Sequence, residues 1–115
     1  MTSYRRGDVV LISYPLSDRP SPGKRPAVVV SNDNSNEILI AQVTGHLDSP
    51  SRQGDHHITD WQMAGLLRPS LVRTKLATVP TTIILRKLGT LHQADLKGVE
   101  MALKGILGLD DLPYC

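Results

Sequence analysis

Apolar residues along the first ninety positions fall into short β-branched runs separated by polar turns, and only near the end of the chain does the spacing change to that of a helix. Val9 to Tyr14 reads as a strand stopped by Pro15. Ser17 to Lys24 (Ser-Asp-Arg-Pro-Ser-Pro-Gly-Lys) reads as a mobile loop, and the unbroken apolar run Ala27 to Val30 as a strand buried on both faces. Asn32 to Asn36 is a string of turn residues, after which Glu37 to Thr44 returns as a third strand. Gly45 to Asp55 is polar, and His56 to Thr59 is a short candidate strand. Asp60 to Leu67 reads as a turn or short helix with Trp61 directed inward. Ser70 to Lys75 and Ile84 to Leu88 are further strands, with Thr78 to Ile83 as an irregular crossing between them. From Ala94 to Leu107, Leu96, Val99, Leu103, Ile106 and Leu107 recur at helical spacing, opposite Lys97, Glu100 and Lys104. His92 holds the N-cap position with Asp95 three residues on. Gly98 and Gly105 each cost about 1 kcal/mol relative to alanine, so this helix must be stabilised by packing rather than propensity.

Many short strands, one terminal helix and no βαβ rhythm predict a mainly β fold: a small, strongly curved sheet or partly open barrel with a C-terminal amphipathic helix, in one domain spanning 1–115. A hydrophobic content of 40% against 21% charged residues predicts a packed core. No apolar run approaches the ~18 residues of a membrane span, and the first residues lack the apolar region of a signal peptide, which predicts a cytoplasmic protein. The single cysteine, Cys115, excludes an internal disulfide framework and a cysteine-based metal site. The net charge of +2 hides an uneven distribution: residues 1–90 carry 11 Lys/Arg against 7 Asp/Glu, and residues 91–115 carry 2 against 4. That is compatible with a polyanionic partner without demanding one.

Arg25 stands at the mouth of the second strand, where an anionic ligand can sit. If the second and third strands are antiparallel neighbours, Arg25 at the start of one and Thr44 at the end of the other fall at the same edge. The competing expectation for Arg25 is a structural ion pair with Asp8 or Asp33, and for Thr44 simply a β-branched residue suited to a strand. His46, two residues past Thr44, titrates near neutrality and is a candidate base or phosphate contact, against the alternative of a loop histidine without a role. His56 and His57 are adjacent, so in a strand they point to opposite sides and cannot chelate one metal together.

Several blocks occur in order: Arg6-Gly7-Asp8-Val9-Val10-Leu11-Ile12, Gly23-Lys24-Arg25-Pro26-Ala27-Val28-Val29-Val30-Ser31-Asn32-Asp33, Ala41-Gln42-Val43-Thr44, Asp60-Trp61-Gln62 with Ala64-Gly65-Leu66 ahead of Pro69-Ser70, and Leu85-Arg86-Lys87-Leu88-Gly89. Together they resemble the MazF/PemK toxin family over most of the chain. The resemblance implies an SH3-like barrel of the CcdB/MazF type that forms homodimers. It further implies a metal-independent, cofactor-free, sequence-specific endoribonuclease (an mRNA interferase) of a type II toxin–antitoxin pair. Such an enzyme cuts single-stranded RNA by attack of the 2′-hydroxyl, leaving a 2′,3′-cyclic phosphate and a 5′-hydroxyl. A cognate antitoxin would hold it inactive through a disordered segment laid across the same groove.

Arg25 matches the arginine of the family's Arg-Pro motif, and its planar fork suits a phosphate whose charge grows in the transition state. Arginine is a poor proton donor, which disfavours a general-acid role. Thr44 matches the family's threonine at the end of the third strand, and Ser70 the serine of its block. Arg73 to Thr78 departs from the pattern: many relatives carry Gln-Ile-Arg-Thr there, and some use an arginine and a nearby aspartate that are both missing here. Thr78 keeps the hydroxyl and Lys75 a positive charge; with Lys24, Ser70 and Arg73 these are candidate RNA contacts, as is Tyr14 beside the loop. Two other classes stay open: a gyrase poison like CcdB, disfavoured because the chain lacks a Trp-Gly-Ile end, and a non-catalytic RNA- or protein-binding barrel derived from such a toxin.

Overall fold

The computed structural model describes residues 4–14, 23–45, 47 and 54–109. They form strands β1 (Asp8–Tyr14), β2 (Gly23–Asn32), β3 (Glu37–Thr44), β4 (His56–His57) and β5 (Leu71–Pro80), a 3-10 turn (Thr81–Ile83), strand β6 (Ile84–Thr90) and helix α1 (Gln93–Leu107). All strand pairs are antiparallel, in one sheet of order β4-β5-β3-β2-β1-β6.

Connectivity forces this sheet to curl. β5 and β6 are separated in the sheet by three strands, or about 19 Å at the usual strand spacing of ~4.8 Å. Only the three residues of the 3-10 turn join them in sequence, and a 3-10 turn advances about 2 Å per residue. The ends of β5 and β6 can meet only if the sheet wraps round, which is the partly open barrel expected. Thr81 N–H, donating to the Asn36 carbonyl (2.9 Å), fixes the closing turn to the β2–β3 hairpin.

Strand alternation sorts the apolar residues into two clusters. Val9, Val28, Ala41, Val43 and Val72 face Val99 and Leu103 of α1, with Trp61 packed against them. Val10, Ile12, Ala27, Val29, Ile38 and Ile40 occupy the other face, which the curl closes with Ile83 and Ile84. The run Ala27–Val30 is buried on both faces because it lies in a strand between these two clusters.

Several boundaries differ from the sequence reading. Gly23 and Lys24 belong to β2 rather than to the loop, whose residues 17–22 lie outside the described residues. β5 runs unbroken to Pro80, so Thr78 is in a strand, paired with Leu39, rather than in an irregular crossing. Residues 59–65 form successive turns, the first of the two forms expected for this stretch. The Asn32–Asn36 turn is made as its composition implies: Asn32 Oδ1 accepts from Asn34 N–H (2.9 Å) and Asp33 Oδ1 from Ser35 N–H (3.0 Å).

Helix α1 begins where His92 Nδ1 accepts from Ala94 N–H (3.2 Å). Asp95 does not serve this cap. It is buried, accepting from Thr59 N–H (2.9 Å), Asp60 N–H (3.0 Å) and His56 Nε2 (2.9 Å), and so ties the helix to β4 and the following turn. Burial alone would raise its pKa, but these three donors and the His56 charge outweigh it and hold the carboxyl below its ordinary value. No helix of the described residues is long and apolar enough to cross a membrane.

Candidate functional site

The β2–β3 ladder ends at Ala27 and Gln42, next to Pro26, which has no N–H to contribute. Beyond that point the strands continue without a ladder to Gly23 and Thr44. Carried two residues further, the same register sets Arg25 across from Thr44, at the open mouth of the pair.

A cleft of about 470 Å³ opens at this mouth. Arg25, Thr44, Lys24 and Ser70 all line it, so four of the sequence-predicted site residues are brought together. Two further cations, Arg68 and Arg86, were not singled out from the sequence. Arg86 lies within the Leu85–Gly89 block with no feature that separates it from its neighbours, and Arg68 follows an irregular segment whose path no periodicity reveals. Among the described residues the cleft lining therefore carries Lys24, Arg25, Arg68 and Arg86 and no carboxylate. Arg25 takes part in no ion pair among the described residues. Its two expected structural partners are engaged elsewhere: Asp8 with Lys87 (3.3 Å) and Asp33 with Ser35. A phosphodiester fits this field, with Arg25 supplying a bidentate fork.

The other predicted residues are distributed differently. Ser70 is buried and its Oγ donates to the Arg68 carbonyl (3.0 Å), which shapes the cleft wall. Arg73 is turned away from the cleft, its Nε 3.6 Å from an Asp55 carboxylate oxygen, with Nη2 buried and without a hydrogen-bond partner. That pairing places Arg73 in the support of β5 rather than at the cleft surface. Thr78 is about five residues along the β3–β5 pair from the Thr44 level, some 17 Å away, and lines a separate surface hollow with Asp33 and Glu37. Lys75 lines a smaller hollow next to the cleft. Tyr14 ends β1 with its backbone opposite Gly23. His46 lies outside the described residues.

Leu67 forms part of the cleft edge and is 96% exposed. An aliphatic side chain left in water there gives an unstacked base, or an apolar residue of a bound peptide, something to cover. Among the described residues no group of three or more His, Cys, Asp or Glu side chains is placed to hold a metal ion.

Residues 5–107 match the family model of the PemK-like, MazF-like toxins of type II toxin–antitoxin systems. The chain belongs to that family. The match spans most of the barrel and helix, including Arg25, Thr44, Arg68 and Arg86 of the cleft. No curated protein matches it by sequence. Among solved structures it is similar to an endoribonuclease in complex with its cognate antitoxin from a mycobacterial species, at a TM-score of 0.72 and 18% identity over 98% of this chain and 100% of that one. It is also similar to MazF from Deinococcus radiodurans, at a TM-score of 0.72 and 18% identity over 94% and 99% of the two chains. The Mycobacterium tuberculosis toxin MazF-mt6 follows the same path, at 0.68 and 17% over 88% and 98%. The MazF-like barrel is thus kept while most side chains change, which makes this chain's own cleft residues the place to seek its chemistry.

Proposed function

We propose that this MazF/PemK-family toxin is a metal-independent endoribonuclease that cuts single-stranded RNA in the Arg25–Thr44 cleft. The observation that carries the reading is the convergence of Arg25 and Thr44 at a mouth that, among the described residues, is lined by four cations and no carboxylate. In the reaction the 2′-oxygen attacks the adjacent phosphorus, the bond from phosphorus to the 5′-oxygen breaks, and the products are a 2′,3′-cyclic phosphate and a 5′-hydroxyl. The proton of the 2′-hydroxyl goes to a base and the leaving 5′-oxygen takes one up. Arg25 stabilises the charge that grows on the phosphorane, and the Thr44 hydroxyl orients a phosphate oxygen or the nucleophile. Lys24, Arg68 and Arg86 hold the flanking phosphates. His46 is our candidate base, being two residues beyond Thr44 in sequence.

The same groove suits a cognate antitoxin. A cationic cleft edged by exposed Leu67 accepts an acidic, apolar-studded disordered segment, so inhibitor and RNA compete. We place the enzyme in the cytoplasm, where its RNA substrate is found, and infer a homodimer, because a 12.6 kDa barrel with 3% aromatic residues gains burial from a second copy.

The test is incubation of the purified chain with end-labelled single-stranded RNA in excess chelator, beside Arg25→Ala. Cuts bearing cyclic phosphate ends that fall by about 10²–10³-fold in the variant support the reading. Intact RNA with inhibited DNA supercoiling would instead indicate a gyrase poison, and neither effect a binding barrel.

A further inference from the structure

Next to the cleft, on the sheet face away from α1, lies a hollow of about 230 Å³. Its apolar walls on that face are Ile12, Ala27, Ile40 and Ala77, and its polar groups are Arg25, Gln42 and Lys75. We propose that this hollow binds one base of the RNA beside the scissile phosphate, and that Gln42 and Lys75 select guanine or uracil there. The proposal rests on the endoribonuclease reading and adds a specificity subsite to it.

Arg25 is the link, since it lines both the cleft and the hollow. A phosphate held by its guanidinium has one adjoining nucleoside on the hollow side, and a flat heterocycle is what an apolar slot of this size accommodates. Lys75 reaches the hollow because β5 is irregular at this level. Ala41 pairs with Leu76, but the next residue of β3, Gln42, pairs with Arg73, leaving Thr74 and Lys75 as two extra residues on β5. Such bulges re-aim side chains, and this one is pinned from behind by Arg73 against Asp55. The segment where the sequence departs from the family pattern is therefore also where this chain places its own charged residue in the hollow.

The hydrogen-bonding edge follows from the two side chains. Gln42 can accept through its carbonyl or donate through its amide, whereas Lys75 can only donate. Guanine and uracil share an edge with a ring N–H beside a carbonyl, which Gln42 and Lys75 satisfy together. Adenine and cytosine carry an amino group where that carbonyl would be. Turning the Gln42 amide over satisfies their ring nitrogen, but the ammonium then faces another donor. Discrimination of about 10-fold or more is expected from such a contact.

The experiment is cleavage of a randomised single-stranded RNA pool by the full chain, with cut sites sequenced for wild type, Lys75→Met and Lys75→Glu. Wild type should require guanine or uracil at one position flanking the cut. Lys75→Met should level that position. Lys75→Glu, which can accept from an amino group, should shift it toward adenine or cytosine by about 10-fold, with the other positions unchanged. Normal cutting with the flanking preference unaltered in both variants overturns the subsite alone. No cutting by the wild-type chain overturns the nuclease reading and the subsite with it.

Discussion

Arg68 lies across Gly45, the residue that follows Thr44, so closely that a β-carbon on Gly45 would stand 2.7 Å from Arg68 Nε. The glycine is what lets a guanidinium settle over the end of β3, beside the hydroxyl of the Arg25–Thr44 pair. Position 45 therefore governs the cleft electrostatics although it carries no side chain.

Gly45→Ala should push Arg68 off this seat. Arg68 is exposed and long, so it can move without disturbing the core, and stability should change by less than about 0.5 kcal/mol. RNA cleavage should nevertheless fall by about 10-fold, because a displaced cation no longer meets its phosphate. Thermal melting beside a cleavage assay checks this; a parallel loss of both would mean that Gly45 acts through the fold.

The proposed phosphate binding by the cleft cations would make affinity depend on salt. For single-stranded RNA the slope of log affinity against log salt should flatten by about 0.7 in Arg86→Gln, with a similar change for Lys24→Gln. Fluorescence titrations of an uncleavable RNA, such as one with a 2′-deoxy nucleotide at the cut site, measure the slope from low to physiological salt. An unchanged slope would remove that residue from the phosphate path.

Gly98→Ala improves the intrinsic helix propensity of α1 by about 1 kcal/mol, yet it should destabilise the protein. A β-carbon at position 98 would collide with the His56 imidazole, and His56 cannot swing away without breaking its contact with Asp95. The expected net loss is about 1–2 kcal/mol in urea unfolding. A gain in stability would show that His56 has another place to go.

Asp95 supplies an acid-sensitive element. Its folded-state pKa lies below the unfolded value, so its stabilisation is fully present above about pH 4 and disappears as the pH falls through the depressed folded value. Asp95→Ala should cost roughly 2–4 kcal/mol near neutrality, because Thr59 N–H, Asp60 N–H and His56 lose their acceptor together. Melting curves between about pH 7 and pH 3 should fall steeply at the acid end for wild type and less steeply for the variant.

Much of the architecture was legible beforehand because it is written in local periodicity. Glu37–Thr44 is a strand with the bounds its alternation implies, and α1 begins within a residue of its expected start, since hydrophobic period and turn chemistry act over a few residues. Arg25 with Thr44 was legible too, because antiparallel pairing of neighbouring strands brings the start of one to the end of the other. Arg68, by contrast, follows a stretch of turns with no period to read, and nothing local shows that Asp95, three residues past the N-cap, packs against His56. Arg73 and Lys75 looked alike as cations. A bulge in β5 separates them, one against Asp55 and the other in the hollow beside Arg25.

The sequence alone thus determined most of the elements, the family and the placing of Arg25 and Thr44 at one mouth, for these depend on side-chain spacing and on pairing between adjacent strands. Only the tertiary structure decided which cations share the cleft and which support the frame. That choice is made by the curl of the sheet and by a strand irregularity, both set by contacts between residues far apart in the chain.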